Sequence, residues 1–263
     1  MLPENLLILN YHKIEDKSDI GITARRPRDF LNDLDELQNC GYQTITFSDL
    51  FLKNRIPEKP VIISFDDGYT SFYWQALPAL KKKNMTAVVF VPAAYIGQEN
   101  IWDVRIFGKN FQHMNEDMLS EISNSGIEIG SHSLTHKNLP GLSRTEIETE
   151  LRESKNILEQ ITGKNILTFS YPFGKFNSVV LSLVKKYYRF GVQLTHVPAR
   201  LNGTAQYLLP RINIYRTDSR KVFTKKLDYF NYPALIYKNQ LIQKGAWATI
   251  LLQKIRNKNK LYL

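Results

Sequence analysis

Two runs in this sequence place groups able to bind a metal ion or move a proton directly after apolar stretches. In Val61-Ile-Ile-Ser-Phe-Asp66-Asp67-Gly68, two adjacent carboxylates and a glycine end a strand-like segment. Neighbours on an extended chain point to opposite sides, so both carboxylates serve one site only where the backbone bends, as Gly68 allows. One carboxylate can then hold a metal while the other stays a free base. Taken alone, Asp-Asp-Gly is also ordinary turn chemistry. In Ile127-Glu-Ile-Gly-Ser-His132-Ser-Leu-Thr-His136, two histidines four apart follow a second apolar run. On a turn of helix that spacing puts both imidazoles on one face, where they can share a cation. With Asp67 they form an open set of two nitrogens and one oxygen, leaving room for water and substrate as catalytic zinc sites do. Zinc is the first expectation, and the same donors accept Co2+, Ni2+ or Fe2+.

The elements that must position these groups alternate along the chain. Strands are expected at Leu6–Asn10, Gln43–Phe47, Val61–Asp66, Ala87–Val91, Ile127–Gly130, Leu167–Tyr171 and Gly191–Thr195, with Leu208–Ile214 as an eighth. One intervening helix starts at Pro27, aligns Phe30, Leu34 and Leu37, and stops before Gly41. Another opens with the capping box Ser143-x-x-Glu146, aligns Ile147, Leu151, Leu158 and Ile161, and ends at Gly163. This alternation points to parallel strands with crossover helices, closed as an irregular (β/α) barrel or open as a doubly wound sheet.

The combination of motifs resembles the polysaccharide deacetylases, carbohydrate esterase family four, over roughly residues 5–215. The resemblance implies a distorted (β/α) barrel of about seven parallel strands. It implies Asp66 as general base and Asp67, His132 and His136 as metal ligands. Ser170-Tyr171-Pro172-Phe173-Gly174 is similar to a third motif, in which Phe173 would offer its backbone N–H to the oxyanion. That motif usually carries an Arg where this chain has Ser170, and Arg211 at the last strand is the substitute by position. The late Leu-x-x-His motif that supplies the acid is not evident, and His196 sits in a different context. Asn10-Tyr11-His12-Lys13-Ile14 resembles instead the N-terminal segment of poly-N-acetylglucosamine deacetylases, which makes His12 the expected acid, with a pKa near the working range. Trp102, beside Asp103, and Tyr171 are expected to contact the sugar; His113 is read as unassigned surface.

The implied reaction is metal-dependent hydrolysis of N-acetyl groups on an amino-sugar glycan or a lipid-linked glycan precursor, as in cell-envelope biosynthesis. The alternatives are an O-acetyl esterase or deformylase on a related sugar, and, because the third-motif Arg is missing, a catalytically silent glycan-binding module. A single cysteine, Cys40, excludes an intrachain disulfide, and the N-terminal run lacks the pattern of a secretory signal, so a cytoplasmic location is expected. Residues 216–263 carry eleven Lys and Arg against Asp218 and Asp228, nearly the whole net charge of +10. The chain is therefore divided into a catalytic domain, 1–215, and a basic, aromatic-rich extension, 216–263, suited to an anionic membrane surface at the inner face of the membrane. No nucleic-acid motif accompanies the charge.

Overall fold

The computed structural model describes residues 2–16, 22–52, 54–100, 111–194 and 205–228. Seven parallel positions form the main sheet: β1 (Leu7–Tyr11), β2 (Pro60–Phe65), β3 (Val88–Val91), β4 (Glu128–Ser131), β5 (Thr168–Ser170), β6 (Phe190–Gln193), and a last position split into β7 (Leu209–Pro210) and β8 (Ile212–Asn213). From β1 the sheet runs through β2 to β6 in chain order. The split strand closes it: β7 pairs with β6 through Leu209 and Val192, while β8 pairs with β1 through Ile212 and Leu9. The sheet is thus a distorted barrel, and Arg211 sits at its seam.

Alternation along the strands sorts side chains into two clusters. Leu7, Leu9, Tyr11, Val61, Ile63, Phe65, Val89 and Val91 pack outward against the helices, including Phe30, Leu34 and Leu37 of α1 (Pro27–Asn39). Ile8, Ile62, Val88, Phe90, Phe190, Val192 and Leu209 form a separate interior cluster with Ile45 and Phe47. One step further up each strand, the inward set becomes polar: Asn10, Ser64, Asp66, Ser170 and Arg211, all buried. The barrel is therefore apolar at its floor and polar at the C-terminal ends of its strands, where barrel sites are built.

The two helices expected from their caps form as read. The first has Pro at its start, and α2 (Arg144–Thr162) has both halves of the Ser143–Glu146 capping box and a left-handed Gly163 at φ 65°. Two expectations are corrected. Only Gln43–Thr44 pair as a strand, because Phe47 opens a short helix, Phe47–Leu52, that turns its ring into the barrel floor. The charge break near 216 is not a structural boundary. Residues 220–227 form α3 (Arg220–Leu227), whose Phe223 is buried and whose Arg220 and Thr224 bond Glu36 of α1 at 2.8 and 3.0 Å. Its Lys226 ammonium donates to the Asn213 carbonyl at 2.7 Å. Residues 229–263 lie outside the described residues.

Gly130 on β4 faces the Phe90 ring, and a Cβ there would stand 2.5 Å from Cδ1 and Cε1 of that ring. Phe90 in turn lies 5.3 Å from the Arg211 guanidinium. Gly130→Ala is expected to destabilise the fold by about 1–3 kcal/mol through overpacking, read as a lowered midpoint of thermal unfolding.

Candidate active site

Asp66 continues the β2 ladder, its N–H donating to the Tyr11 carbonyl at 3.0 Å. The next two residues adopt left-handed backbone, Asp67 at φ 70° and Gly68 at φ 60°. Aspartate tolerates this conformation better than most side chains; at Gly68 even a methyl would stand 3.1 Å from Val91 Cγ2. The double reversal is the bend that lets both carboxylates serve one site.

Asp66 is buried and held by a bidentate pair: Arg211 Nη1 to Oδ1 and Nη2 to Oδ2, both 2.8 Å. Arg211, fully buried, also donates to Ser170 Oγ at 2.9 Å and Asn10 Oδ1 at 2.7 Å. Ser170 thus receives an arginine that comes from the barrel seam. Asn10 uses both ends of its amide, accepting from Arg211 and Ser64 while donating to Asp66 Oδ2 at 3.2 Å and Asn213 Oδ1 at 3.0 Å. Burial pushes the Asp66 carboxyl upward, but the Arg211 guanidinium and its neighbours outweigh it, and Asp66 stays ionised well below the usual carboxylate range.

The histidine pair is not on a helix, which corrects the expected turn. His132 extends β4, its N–H bonding the Val91 carbonyl at 3.0 Å. Ser133 and His136 then take left-handed conformations at φ 67° and 53°. Glu150 of α2 holds the loop between them, accepting from the Leu134 and Thr135 amides at 2.9 and 2.8 Å and from the Thr135 hydroxyl. Both imidazole Nε2 atoms lie 3.7 Å from Asp67 Oδ1.

This set fits a single cation. Three donor atoms from buried Asp67, His132 and His136 lie within 4.8 Å of one another. Ligand bonds of about 2.0–2.2 Å in a tetrahedron separate donors by roughly 3.4 Å, close to the observed spacing. His132 Nδ1 lies 2.8 Å from the Ser170 carbonyl, which can only accept, so Nδ1 bears the hydrogen and Nε2 keeps its lone pair. Burial lowers the pKa of both histidines, which favours the neutral ligand form.

The other expected residues divide. Phe173 sits after β5 in left-handed conformation at φ 57°, its ring 4.8 Å from that of His136. His12 directly follows β1, at the same end of the barrel as Asp66, and the charges of Asp66, Arg211 and His132 act on its imidazole. Its expected working-range pKa is corrected: burial pulls the imidazole down to about 4 despite Asp66. Tyr171 is also corrected. It is fully buried against Phe169 and Phe176 and its hydroxyl donates to the Tyr207 carbonyl at 2.9 Å, so it presents no face to a sugar. His113 is buried rather than at the surface, its Nδ1 2.6 Å from the Asp67 carbonyl. Trp102 and His196 lie outside the described residues. Asn10, Ser64 and Glu150 had no role in the sequence reading; the inward register of Asn10 and Ser64, two residues before His12 and Asp66, was the available signal for the first two.

Comparison with known proteins follows the same lines. A family model described as polysaccharide deacetylase matches residues 53–190. The Bacillus subtilis protein YxkH, provisionally named a polysaccharide deacetylase, is 30% identical over 217 residues, covering 81% of this chain and 72% of that protein. A poly-β-1,6-N-acetyl-D-glucosamine N-deacetylase of Staphylococcus aureus is 28% identical over 182 residues, 68% of this chain and 62% of the relative. A crystal structure of a polysaccharide deacetylase from Bacillus cereus superposes with a TM-score of 0.72 at 26% identity, covering 84% of this chain and 68% of that one.

Two outcomes are expected from the electrostatics. Arg211→Met strands a buried carboxylate and should cost about 3–5 kcal/mol in chemical denaturation, with much of the loss recovered when Asp66→Asn is added. The folded protein excludes the His12 proton, so its stabilising contribution is complete above the ordinary pKa of 6.5 and is lost as pH falls toward 4. The unfolding midpoint of the metal-free protein should decline across that window, less steeply in His12→Asn; an unchanged slope would show that His12 is not the group responsible.

Proposed function

Since the chain belongs to the polysaccharide deacetylase family, we propose that it is a metal-dependent hydrolase removing N-acetyl groups from an amino-sugar glycan, with Asp66, Asp67, His132 and His136 at its centre. The observation that carries this reading is the side-by-side placement of an ionised, arginine-clamped Asp66 and the open Asp67-His132-His136 set. A binding module has no need of both.

An amide is a poor electrophile and water a poor nucleophile, so the site must improve both. Asp67, His132 and His136 would hold a divalent cation, zinc first among those that suit one carboxylate and two imidazoles, and the cation would supply a water of lowered pKa and polarise the acetyl carbonyl. Asp66 accepts the proton as water attacks. Its pairing with Arg211 keeps it in the receptive state and fixes its direction, at the expense of basicity. The Phe173 N–H donates to the developing oxyanion, a contact whose loss typically costs about 2.7–4 kcal/mol of barrier. Breakage of the C–N bond then requires a proton on the departing amine. His12 rests neutral, so it delivers a proton only after taking one up, and the proton taken from water has to reach it before the bond breaks. The products are acetate and a free amino sugar, with no covalent intermediate.

The named activity of the Staphylococcus aureus relative supports a β-1,6-linked N-acetylglucosamine polymer or its precursor as the first substrate to try. The basic, aromatic-rich residues beyond 228 support work at an anionic membrane surface, each Lys or Arg near it contributing about 1 kcal/mol. Among the described residues no helix is long and apolar enough to cross a membrane. Flotation with anionic vesicles should recover the protein; its absence from the lipid fraction would remove the membrane proposal.

Acetate release from N-acetylglucosamine oligomers is expected to disappear on chelation and return with Zn2+. Asp66→Asn should lower the rate by about 10²–10⁴-fold while the protein keeps its metal. Metal content matched by no release of acetate or formate from acetylated or formylated sugars would sink the hydrolase reading.

A further inference from the structure

The loop that carries Asp67 is strapped along one side by residues 112–114. Thr70 donates to the Gln112 carbonyl at 2.8 Å, Met114 donates to the Gly68 carbonyl at 2.9 Å, and His113 Nδ1 reaches the Asp67 carbonyl at 2.6 Å. A carbonyl only accepts, so Nδ1 carries the hydrogen. The His113 ring is 1% exposed and stacks on Tyr69, with centroids 4.9 Å apart and planes at 21°. The donor is thus fixed in direction by a neighbour on the same loop.

We propose that His113 is a positioning residue for the metal site, acting through the main chain of Asp67. Asp67 sits at φ 70°, a left-handed conformation that a non-glycine residue keeps only where its surroundings impose it. The peptide following Asp67 has to be held for its carboxylate to stay 3.7 Å from the two imidazoles. His113 holds that peptide's oxygen, and the Met114 amide holds the next one. Ligand orientation by a neighbouring hydrogen bond usually works on the ligand side chain; here it works on the backbone, because the strained dihedral is what aims the side chain. This inference rests on the reading of Asp67, His132 and His136 as metal ligands.

Two substitutions separate the hydrogen bond from the stacked ring. His113→Asn keeps an N–H on a nitrogen bonded to Cγ, where Nδ1 stands, but loses the ring. His113→Phe keeps a ring on Tyr69 and loses the donor. Zn2+ affinity, measured by competition with a chromophoric chelator, should fall about 10–100-fold in His113→Phe and stay near wild type in His113→Asn. The metal-free unfolding midpoint should drop in His113→Asn, where the stacking is lost. Wild-type affinity in His113→Phe, or equal weakening in both variants, would overturn the proposal. Failure of the wild-type protein to bind Zn2+ would refute the metal reading instead. Should His113→Phe not fold, His113→Ala against His113→Asn gives the same comparison of donor present with donor absent.

Discussion

A carboxylate moved out of water stays charged only where the protein replaces the hydration it loses. At Asp66 the replacement is the Arg211 guanidinium, matched to both oxygens at 2.8 Å. Arg211 lies between β7 and β8, where one stretch of chain pairs with both edges of the sheet. Closing the barrel and charging the candidate base are therefore one structural event. Phe90 beneath the guanidinium, and Asn10, Ser64 and Ser170 around it, complete a polar layer over an apolar floor.

The second constraint is strain held in place. Of the non-glycine residues with positive φ among those described, Asp67, Ser133, His136 and Phe173 belong to the candidate site and Asn84 does not. Two of these left-handed turns have an anchor from outside the loop. Glu150 from α2 ties the loop between the histidines, and the 112–114 strap ties the loop of the aspartates. The helices around the barrel thus do more than cover apolar strand faces; one of them also reaches a buried carboxylate into the loop between His132 and His136.

The polar interior has a consequence for charge. Asp66 is ionised, while desolvation keeps the buried His132 and His136 and the partly buried His12 neutral. A neutral imidazole is the form that can bind a cation, and an ionised Asp66 is the form that accepts a proton. The unfavourable desolvation of each group is offset locally, by Arg211 for the carboxylate and by neutrality for the rings.

Local chemistry determined a good deal of this protein from sequence alone. The strand periods, the Pro27 start, the Ser143–Glu146 box and the Gly163 stop depend on neighbours a few residues apart, and each appears where it was read except the second strand, which Phe47 cuts short at Thr44, and the last, which divides around Arg211. So do the two motifs that set carboxylates and imidazoles after apolar strands. Tertiary structure decided what depends on partners distant in the chain. Arg211 meets Asp66 across 145 positions, and Glu150 and His113 meet the site from segments with no motif of their own. Tyr171 lies within a motif yet faces the core, because Tyr207 and two phenylalanines enclose it. His12 carries a pKa near 4, since desolvation is a property of the closed barrel and not of a residue type. The basic composition after 215 marks a change in charge, but Phe223 and Lys226 carry the packed fold through to 228, because an amphipathic helix with a lysine-rich outer face still has an apolar side to bury.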